Sequence, residues 1–598
     1  MRAVTPTLRR IFLLGFLAGF TLAIESSCSP ISGACSGCPG CCDASGTCMS
    51  GTADTACGSA GAACVACAGG STCTAAGFCT GGSGGGAGGG TGGTGGTGGS
   101  IGGGTGGSGT TLLSGRVTYD FVPSVYDPVS KTGGLMFNQA VEKPVRNAVV
   151  RLVQGTTTLA EALTDESGNY SLRYTPGSAQ VTVIALARTQ TPVIVVQDNT
   201  DNNAVWAFGK NLAAGATTAD LHATHGWQGS SYDPNTRLAA PFAVLDSMYI
   251  AAHRFMDVRS VAFPDLRVNW SPNNVPQSGD KTQGFIGTSH FSPQENMIYI
   301  LGKDGVDTDE FDSHVIVHEW GHYFEKNLSR SDSPGGPHSG GEILDPRITF
   351  GEGWGNALAS MLLPESVYAD TSWNASGPYV FGFDAETEPT PTDDPNPGPF
   401  SESSVFRLLY HVYDTANHQP YDSVGTGLGP IYDVMTGFEK TTQAMTTVGS
   451  FITGLKQQAS VNGAAVDTLL AHYNIGPITS SFGAGDINLA GMYTDASVLP
   501  FSGSIALGGG NPANSYQQNQ YYVFNGTGGQ VTVSANSTYD VAIAAYLRGV
   551  VQGSADNTTS GTETFSFNTQ SGVTYVVVLT GYGNVSGDYT VTVNITSP

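Results

Sequence analysis

Between Gly81 and Thr110 the chain is almost wholly glycine, serine and threonine. Such a stretch has no apolar surface to bury and behaves as a flexible coil, with an r.m.s. span of about 30 Å over its length. No single core can run through it. The part before it and the part after it must therefore fold separately. The run also holds many of the chain's 83 glycines, and these glycines form no phosphate-binding loop. Such a loop needs a strand before it and a helix after it, and neither pattern is present.

Upstream of the linker, residues 1–23 read as an export signal. Arg2, Arg9 and Arg10 precede the apolar run Ile11–Phe20, and Thr21-Leu22-Ala23 offers a small-residue cleavage site. That run is short for a bilayer span, and no other segment could cross one. All 11 cysteines fall between Cys28 and Cys79. In an exported chain this density reads as a disulfide-stapled module, residues 24–80. Three CxxC pairs (Cys35/Cys38, Cys38/Cys41, Cys64/Cys67) also suit zinc, but no histidine lies nearby and disulfides are favoured. The minority reading is lipidation of Cys28, which would leave ten cysteines for five bridges. Against it, Glu25 stands where a lipoprotein signal carries an apolar residue. The expectation is a secreted protein, with the module as a candidate cell-surface attachment. A net charge of -24 repels nucleic acid and anionic membranes, so neither is an expected partner.

Downstream, residues 111–204 show short β-branched and aromatic runs divided by turn residues: LSGRVTYDF, AVVRLVQG, GNYSLRYTP, AQVTVIALA and TPVIVVQD. With the Asp165–Asn169 turn this segment resembles the carboxypeptidase-regulatory-like domain, which implies a small β-sandwich. Residues 205–499 change to longer periods of helical spacing around Pro241–Val258, Asp312–Lys326, Trp354–Leu363, Ser403–Asp414 and Thr442–Gln458, with NMIYILG as a strand between them. Residues 500–598 return to alternating strands (YYVFNGT, GQVTVSA, DVAIAAYLR, TETFSFNT, TYVVVLTGY, GDYTVTVNI). Their pattern and position resemble the pre-peptidase C-terminal domain.

The chemistry concentrates in His318-Glu319-Trp320-Gly321-His322. On a helix, positions i and i+4 share a face, so His318 and His322 can present two imidazoles to one metal. Glu319 lies about 100° around the helix, placed to reach a water without ligating. Asp312 stands at the N-cap position, and Val315, Ile316, Val317, Trp320 and Tyr323 supply apolar packing.

A catalytic zinc takes three protein ligands. The metzincin pattern fails, since Glu325 and Leu328 replace its glycine and histidine. Three candidates for the third ligand remain: His338, Glu342 and Glu352. Glu342 follows His322 after 19 residues, a spacing similar to the thermolysin family, but Gly341 and Pro346 argue against a helix there. Glu352 sits in FGEGWGNALASMLL, in the first turn of a helix whose Trp354, Ala357, Leu358, Met361 and Leu362 form a buried face. A ligand on a packed helix is held more rigidly, so Glu352 is favoured.

HEWGH, the Gly335-Gly336-Pro337 loop and GEGWGNALA together resemble the fungalysin-type gluzincins, with their HEYTH-like and GEGWSDF-like motifs. The resemblance implies His318, His322 and Glu352 as Zn²⁺ ligands and Glu319 as general base. In that family an aspartate four residues after the ligand glutamate orients a zinc-bound histidine. This chain has Asn356, which still accepts a hydrogen bond but carries no charge. Zinc there would acidify water and polarise a peptide carbonyl, with Glu319 moving the proton to the leaving amine. Tyr410 and His411 are the candidate oxyanion donors, and NMIYILG is a candidate edge strand for pairing with an extended peptide.

Weaker features are three acidic clusters that could take Ca²⁺: Asp304, Asp307, Asp309 and Glu310; Asp198 with Asp201; and Asp393-Asp394. His222 and His225 read as structural histidines. The expected fold is multidomain: an α+β zincin-type catalytic domain between two small all-β sandwiches, preceded by the cysteine module and the linker. The expected function is a secreted zinc metalloendopeptidase acting on extracellular protein. The competing expectation is a surface binding or adhesion protein with a degenerate peptidase core.

Overall fold

The computed structural model describes residues 110–374, 377–416, 420–483, 491–508, 514–582 and 587–598, with short pieces between Cys41 and Ala63. The export signal, Cys28, most of the cysteine module and the linker up to Gly109 lie outside the described residues. Within them the chain is multidomain and mostly β, with seven α-helices.

The first β-layer is one sheet of Asn169–Tyr174, Thr111–Phe121, Val141–Pro144 and Leu221–Ala223. Asn169–Tyr174 alternates exposed and buried residues strictly, as a strand with one wet face must. The facing layer contains Thr157–Leu163, Ala148–Gln154, Val181–Thr189 and Ala207–Leu212. It does not stop there. Arg188 pairs with Val195, and the sheet continues through Ile194–Asp198, Leu266–Trp270, Met297–Ile300 and His290–Ser292 to nine strands.

This continuity corrects the expected boundary at 204/205. Ile194–Asp198, read as a sandwich strand, pairs in parallel with Leu266–Trp270 of the central unit. Ala207–Leu212 and Leu221–Ala223, beyond the boundary, pair back into the sandwich. One hydrophobic cluster runs from Leu113 through Trp270, Trp320 and Trp354 to Ile478. The two units share a core, and no linker composition marks a seam that does not exist.

Four helices carry the site: α1 (Ala240–Met256), α2 (Ser313–Leu328), α3 (Pro346–Leu362) and α4 (Glu402–Tyr413). Helix α2 packs against α1 and α3, and α3 against α4. Phe255, Trp320, Phe324 and Trp354 form a chain of ring contacts through this packing. Small residues let the backbones close in. A Cβ on Gly321 would lie 3.2 Å from the Gly355 Cα, and one on Gly353 would lie 2.7 Å from Val405 Cγ1. The glycines of GEGWGNA therefore face two different neighbours.

Three local expectations change. Helix α3 starts at Pro346, not near Trp354, because Asp345 caps it by accepting from the Arg347 N–H and proline suits its first position. Glu352 thus sits in the second turn. Asp312 precedes α2, but its side chain does not cap the helix; it accepts from the Thr371 N–H and hydroxyl. The helix expected over Thr442–Gln458 is limited to Val448–Lys456, with Thr447 and Ser450 forming a capping box.

The C-terminal region is a sandwich of a five-stranded and a four-stranded sheet with its own core, including Tyr522, Phe524, Val577, Leu579 and Val593. It begins before residue 500, since Tyr493–Asp495 pairs with Asn519–Asn525. Met445, Met492, Tyr521, Val576 and Val578 cluster where it meets the helical region.

Candidate metal centre

His318 and His322 lie one turn apart on α2, and Glu352 reaches them from α3. One ligand atom from each lies within 4.8 Å of the others. His318 Nε2 and His322 Nε2 are 3.0 Å apart. Glu352 Oε2 is 3.3 Å from the first and 3.5 Å from the second. Ligands bound tetrahedrally at about 2.0–2.1 Å sit about 3.3 Å from one another, so this triangle has the size a zinc ion needs.

The proton positions support the same use. Glu402 Oε1 accepts from the Asn356 amide nitrogen at 2.7 Å. That turns the Asn356 oxygen toward His318 Nδ1, at 2.8 Å. Nδ1 then carries the hydrogen and Nε2 presents a lone pair to the centre. Behind His322, the buried Glu325 brings Oε2 to 3.8 Å from Nδ1. Two imidazole lone pairs facing each other at 3.0 Å need a cation or a proton between them.

The titrating groups respond to this crowding. Burial would lower the His322 imidazole, but Glu352, Glu325 and Glu319 outweigh it and hold it well above its ordinary range. Burial would raise Glu352, but His322 and His318 hold it well below. The site is built for positive charge.

Glu319 is buried, and its Oε2 accepts from the Phe291 N–H at 2.7 Å. Phe291 belongs to His290–Ser292, the terminal strand of the nine-stranded sheet. This corrects the expected edge: Met297–Ile300 lies inside the sheet, because His290–Ser292 folds back and covers its free side.

The other candidate residues divide. Glu342 is in the loop before α3, where its Oε2 accepts from the Ser339 N–H. His338, from the same loop, points Nε2 at Glu352 Oε2 from 3.4 Å and lies 3.9 Å from Glu402. Tyr410 and His411 occur at the far end of α4, about 12 Å along the axis from Glu402. His411 is fully buried and pairs with Asp422 at 2.9 Å. Neither is brought to the triad, which corrects their reading as oxyanion donors: the helix points its first turn at the site, not its last.

Asp393 pairs with Lys131, and Asp394 accepts from Ser401 and Ser404. Asp198 accepts from Thr200 within its own turn. His222 contacts Thr118 and Asp120, and His225 accepts from the Trp227 N–H.

Glu402 was not anticipated. In the sequence it is an acidic residue in a helix's first turn, which the helix dipole accounts for. Its partner Asn356 is 46 positions away, and no periodicity connects them.

No known family profile matches the chain, and no curated protein matches it. Among solved structures, the pre-peptidase C-terminal domain of a collagenase from Bacillus anthracis is similar at 16% identity, covering 18% of this chain and 99% of that one, with a TM-score of 0.15. PliG, a periplasmic lysozyme inhibitor from Aeromonas hydrophila, matches at 11% identity over 17% of this chain and 97% of its own, TM-score 0.13. CorA, a surface-associated copper-binding protein of Methylomicrobium album BG8, matches at 10% identity over 18% of this chain and 98% of its own, TM-score 0.14. Among the described residues, no helix is long and apolar enough to cross a membrane.

Proposed function

We propose that the chain is a secreted zinc-dependent metalloendopeptidase of the gluzincin type, with a zincin-like central unit, acting on extracellular proteins. The observation that carries this reading is the His318–His322–Glu352 triangle, with edges of 3.0, 3.3 and 3.5 Å, beside a buried Glu319 on the same helix.

His318, His322 and Glu352 would hold the ion. Zinc, when bound, supplies the Lewis acidity that polarises a peptide carbonyl and acidifies water. Glu319 is held by the Phe291 N–H through one oxygen, which leaves the other to accept a proton from water and return it to the leaving amine. Asn356 and Glu402 keep the His318 tautomer fixed. His338, with Nε2 3.4 Å from Glu352 Oε2, would donate to charge developing on the carbonyl oxygen. The strand His290–Ser292 offers an outer edge beside Glu319 for an extended peptide.

The test uses the purified full chain. Casein cleavage is expected, lost on chelation, restored by zinc, and lost again in Glu319→Gln with zinc still bound. Stoichiometric zinc without hydrolysis of a broad peptide library would instead support a surface binding protein. Activity that survives Glu319→Gln would remove the proposed general base.

A further inference from the structure

A second group of acids gathers at the start of α2. Asp307, Asp309 and Asp370 each offer one oxygen within 4.8 Å of the others. They converge from two places. Asp307 and Asp309 come from the turn leading into α2. Asp370 comes from Val367–Asn374, which pairs with Gly377–Asp384 as a hairpin and with Asp307 through Ser372. Asp312, fully buried, lies behind them.

Buried carboxylates ordinarily face a lysine, an arginine or a full set of donors. Here they do not. Asp309 is 3% exposed; its Oδ2 accepts from the Ser289 hydroxyl, and its Oδ1 has no partner. Asp312 directs Oδ2 to Thr371, and its Oδ1 is likewise without a partner. Asp307 Oδ1 is a third such atom. Among the described residues no lysine or arginine pairs with any of the four. By contrast Glu310, inside the same run, is satisfied by Arg237. The fold can neutralise a buried acid when it needs to, and here it sets Asp307 and Asp309 against each other, with no cationic side chain between them among the described residues.

The crowding raises all four acids. Burial, with Asp370 and Glu310 nearby, pushes Asp307 up to about 7. Burial pushes Asp370 up to about 6 despite the nearby His318. Asp309 and Asp312 are also raised, by burial and by the other carboxylates. A divalent cation would convert this repulsion into coordination.

The donor set identifies the ion. It is all oxygen, with no histidine or cysteine, which selects a hard cation over zinc. Several carboxylates closing on one point from a turn and a hairpin suit Ca²⁺, whose coordination is adaptable. Mg²⁺ demands near-ideal octahedral geometry and keeps most of its water.

We propose that Asp307, Asp309 and Asp370 form a calcium site, separate from the His318–His322–Glu352 triad, that fastens the hairpin Val367–Asp384 to the start of α2. It stands whether or not the triad binds zinc. Its consequence is positional: the hairpin and the helix carrying both histidines become one rigid piece.

The test takes the full chain, stripped with chelator, and titrates CaCl2 by calorimetry and by thermal unfolding, with and without zinc. One calcium per chain and a rise in Tm are expected in both cases, with MgCl2 weaker. Asp370→Asn is expected to weaken calcium by at least about tenfold and to retain the zinc content of the unaltered chain. Absence of calcium heat and of any Tm rise in the unaltered chain overturns the proposal. So does calcium binding by Asp370→Asn as tight as the unaltered chain's. Because Asp309→Asn touches a more buried position and can fail to fold, Asp307→Asn serves as the second variant, with the same expected loss.

Discussion

The side-chain oxygen of Asn356 accepts from His318 Nδ1 at 2.8 Å, and the direction of that amide is set by a carboxylate beyond it, Glu402. A neutral residue at this position has no preference of its own between oxygen and nitrogen. Glu402 imposes one, and with it the tautomer that leaves His318 Nε2 bare. The charge absent at Asn356 is present one residue further out.

A pair of substitutions tests this relay. Glu402→Gln can donate as well as accept, so Asn356 loses its fixed direction, and zinc affinity is expected to fall about tenfold. Asn356→Asp alone sets a second carboxylate oxygen where the amide nitrogen now lies 2.7 Å from Glu402 and is expected to weaken zinc as well. The double variant places one carboxylate against His318 and one amide behind it, and should recover affinity. Additive losses in the double variant, measured by competition with a chromogenic chelator, would show that the two residues act independently.

Gly355 faces His318 so closely that a Cβ there would lie 2.8 Å from both Cε1 and Nδ1 of the ring. Cβ atoms do not approach that near, so the imidazole must move. Gly355→Ala is expected to cost zinc affinity at least about tenfold while far-UV circular dichroism stays unchanged. Gly340→Ala, where the added carbon meets nothing within 4 Å, is the control and should bind zinc as the unaltered chain does. Equal zinc affinity in Gly355→Ala would mean that the His318 ring is not confined by α3.

His338 approaches Glu352 from a solvent-facing loop, with its side chain 28% exposed. As a donor to the developing oxyanion it should matter to turnover and not to metal loading. His338→Ala, which removes the donor, is expected to lower kcat by about 10²–10³, with KM and zinc content little changed. Loss of zinc in this variant would make His338 a ligand instead.

What the sequence made legible follows periodicity. HEWGH declares its helix and the convergence of its two histidines because the i, i+4 relation is local. GEGW declares a buried helical face, though not its start, since Pro346 reads as a breaker as readily as a first residue. Relations across the fold have no period. Glu402 behind Asn356, His290–Ser292 over Met297–Ile300, and Asp370 opposite Asp307 all depend on how far loops travel. The seam expected at 204/205 failed for the same reason. A strand's own residues fix its two faces but not its neighbours, and Ile194–Asp198 found its neighbour in Leu266–Trp270.

His314, one turn before His318, is a pH-dependent weak point. Burial lowers it to about 4, against an ordinary value of 6.5, although it bonds the Glu365 carbonyl oxygen. The unfolded chain therefore takes up a proton below pH 6.5 that the folded chain refuses until about pH 4. Stability associated with this residue is complete above 6.5 and is lost as pH falls between those values, by roughly 3 kcal/mol in all. His314→Gln keeps a donor for the carbonyl and removes the titration. Its unfolding free energy should fall less steeply over that window than the unaltered chain's. Parallel slopes would mean that His314 is charged or accessible in the folded state.

The C-terminal sandwich also bears on the centre, through Tyr521. This fully buried residue donates its hydroxyl to Asp345, the cap of α3, whose carboxylate also holds Arg347. Asp345 thus joins the sandwich to the helix that carries Glu352. The tyrosine hydroxyl and the Arg347 guanidinium share one carboxylate oxygen that no water can reach, so the bond lost is one to a charged acceptor. Removing it in Tyr521→Phe is expected to cost about 1–3 kcal/mol, seen as a lower midpoint in urea. Glu352 lies two turns further along α3 and faces His318 and His322 of α2, so zinc affinity should hold in the folded variant. If Tyr521→Phe lowers zinc affinity without lowering stability, the sandwich would be a part of the metal centre's support and not simply an anchor for the cap of α3.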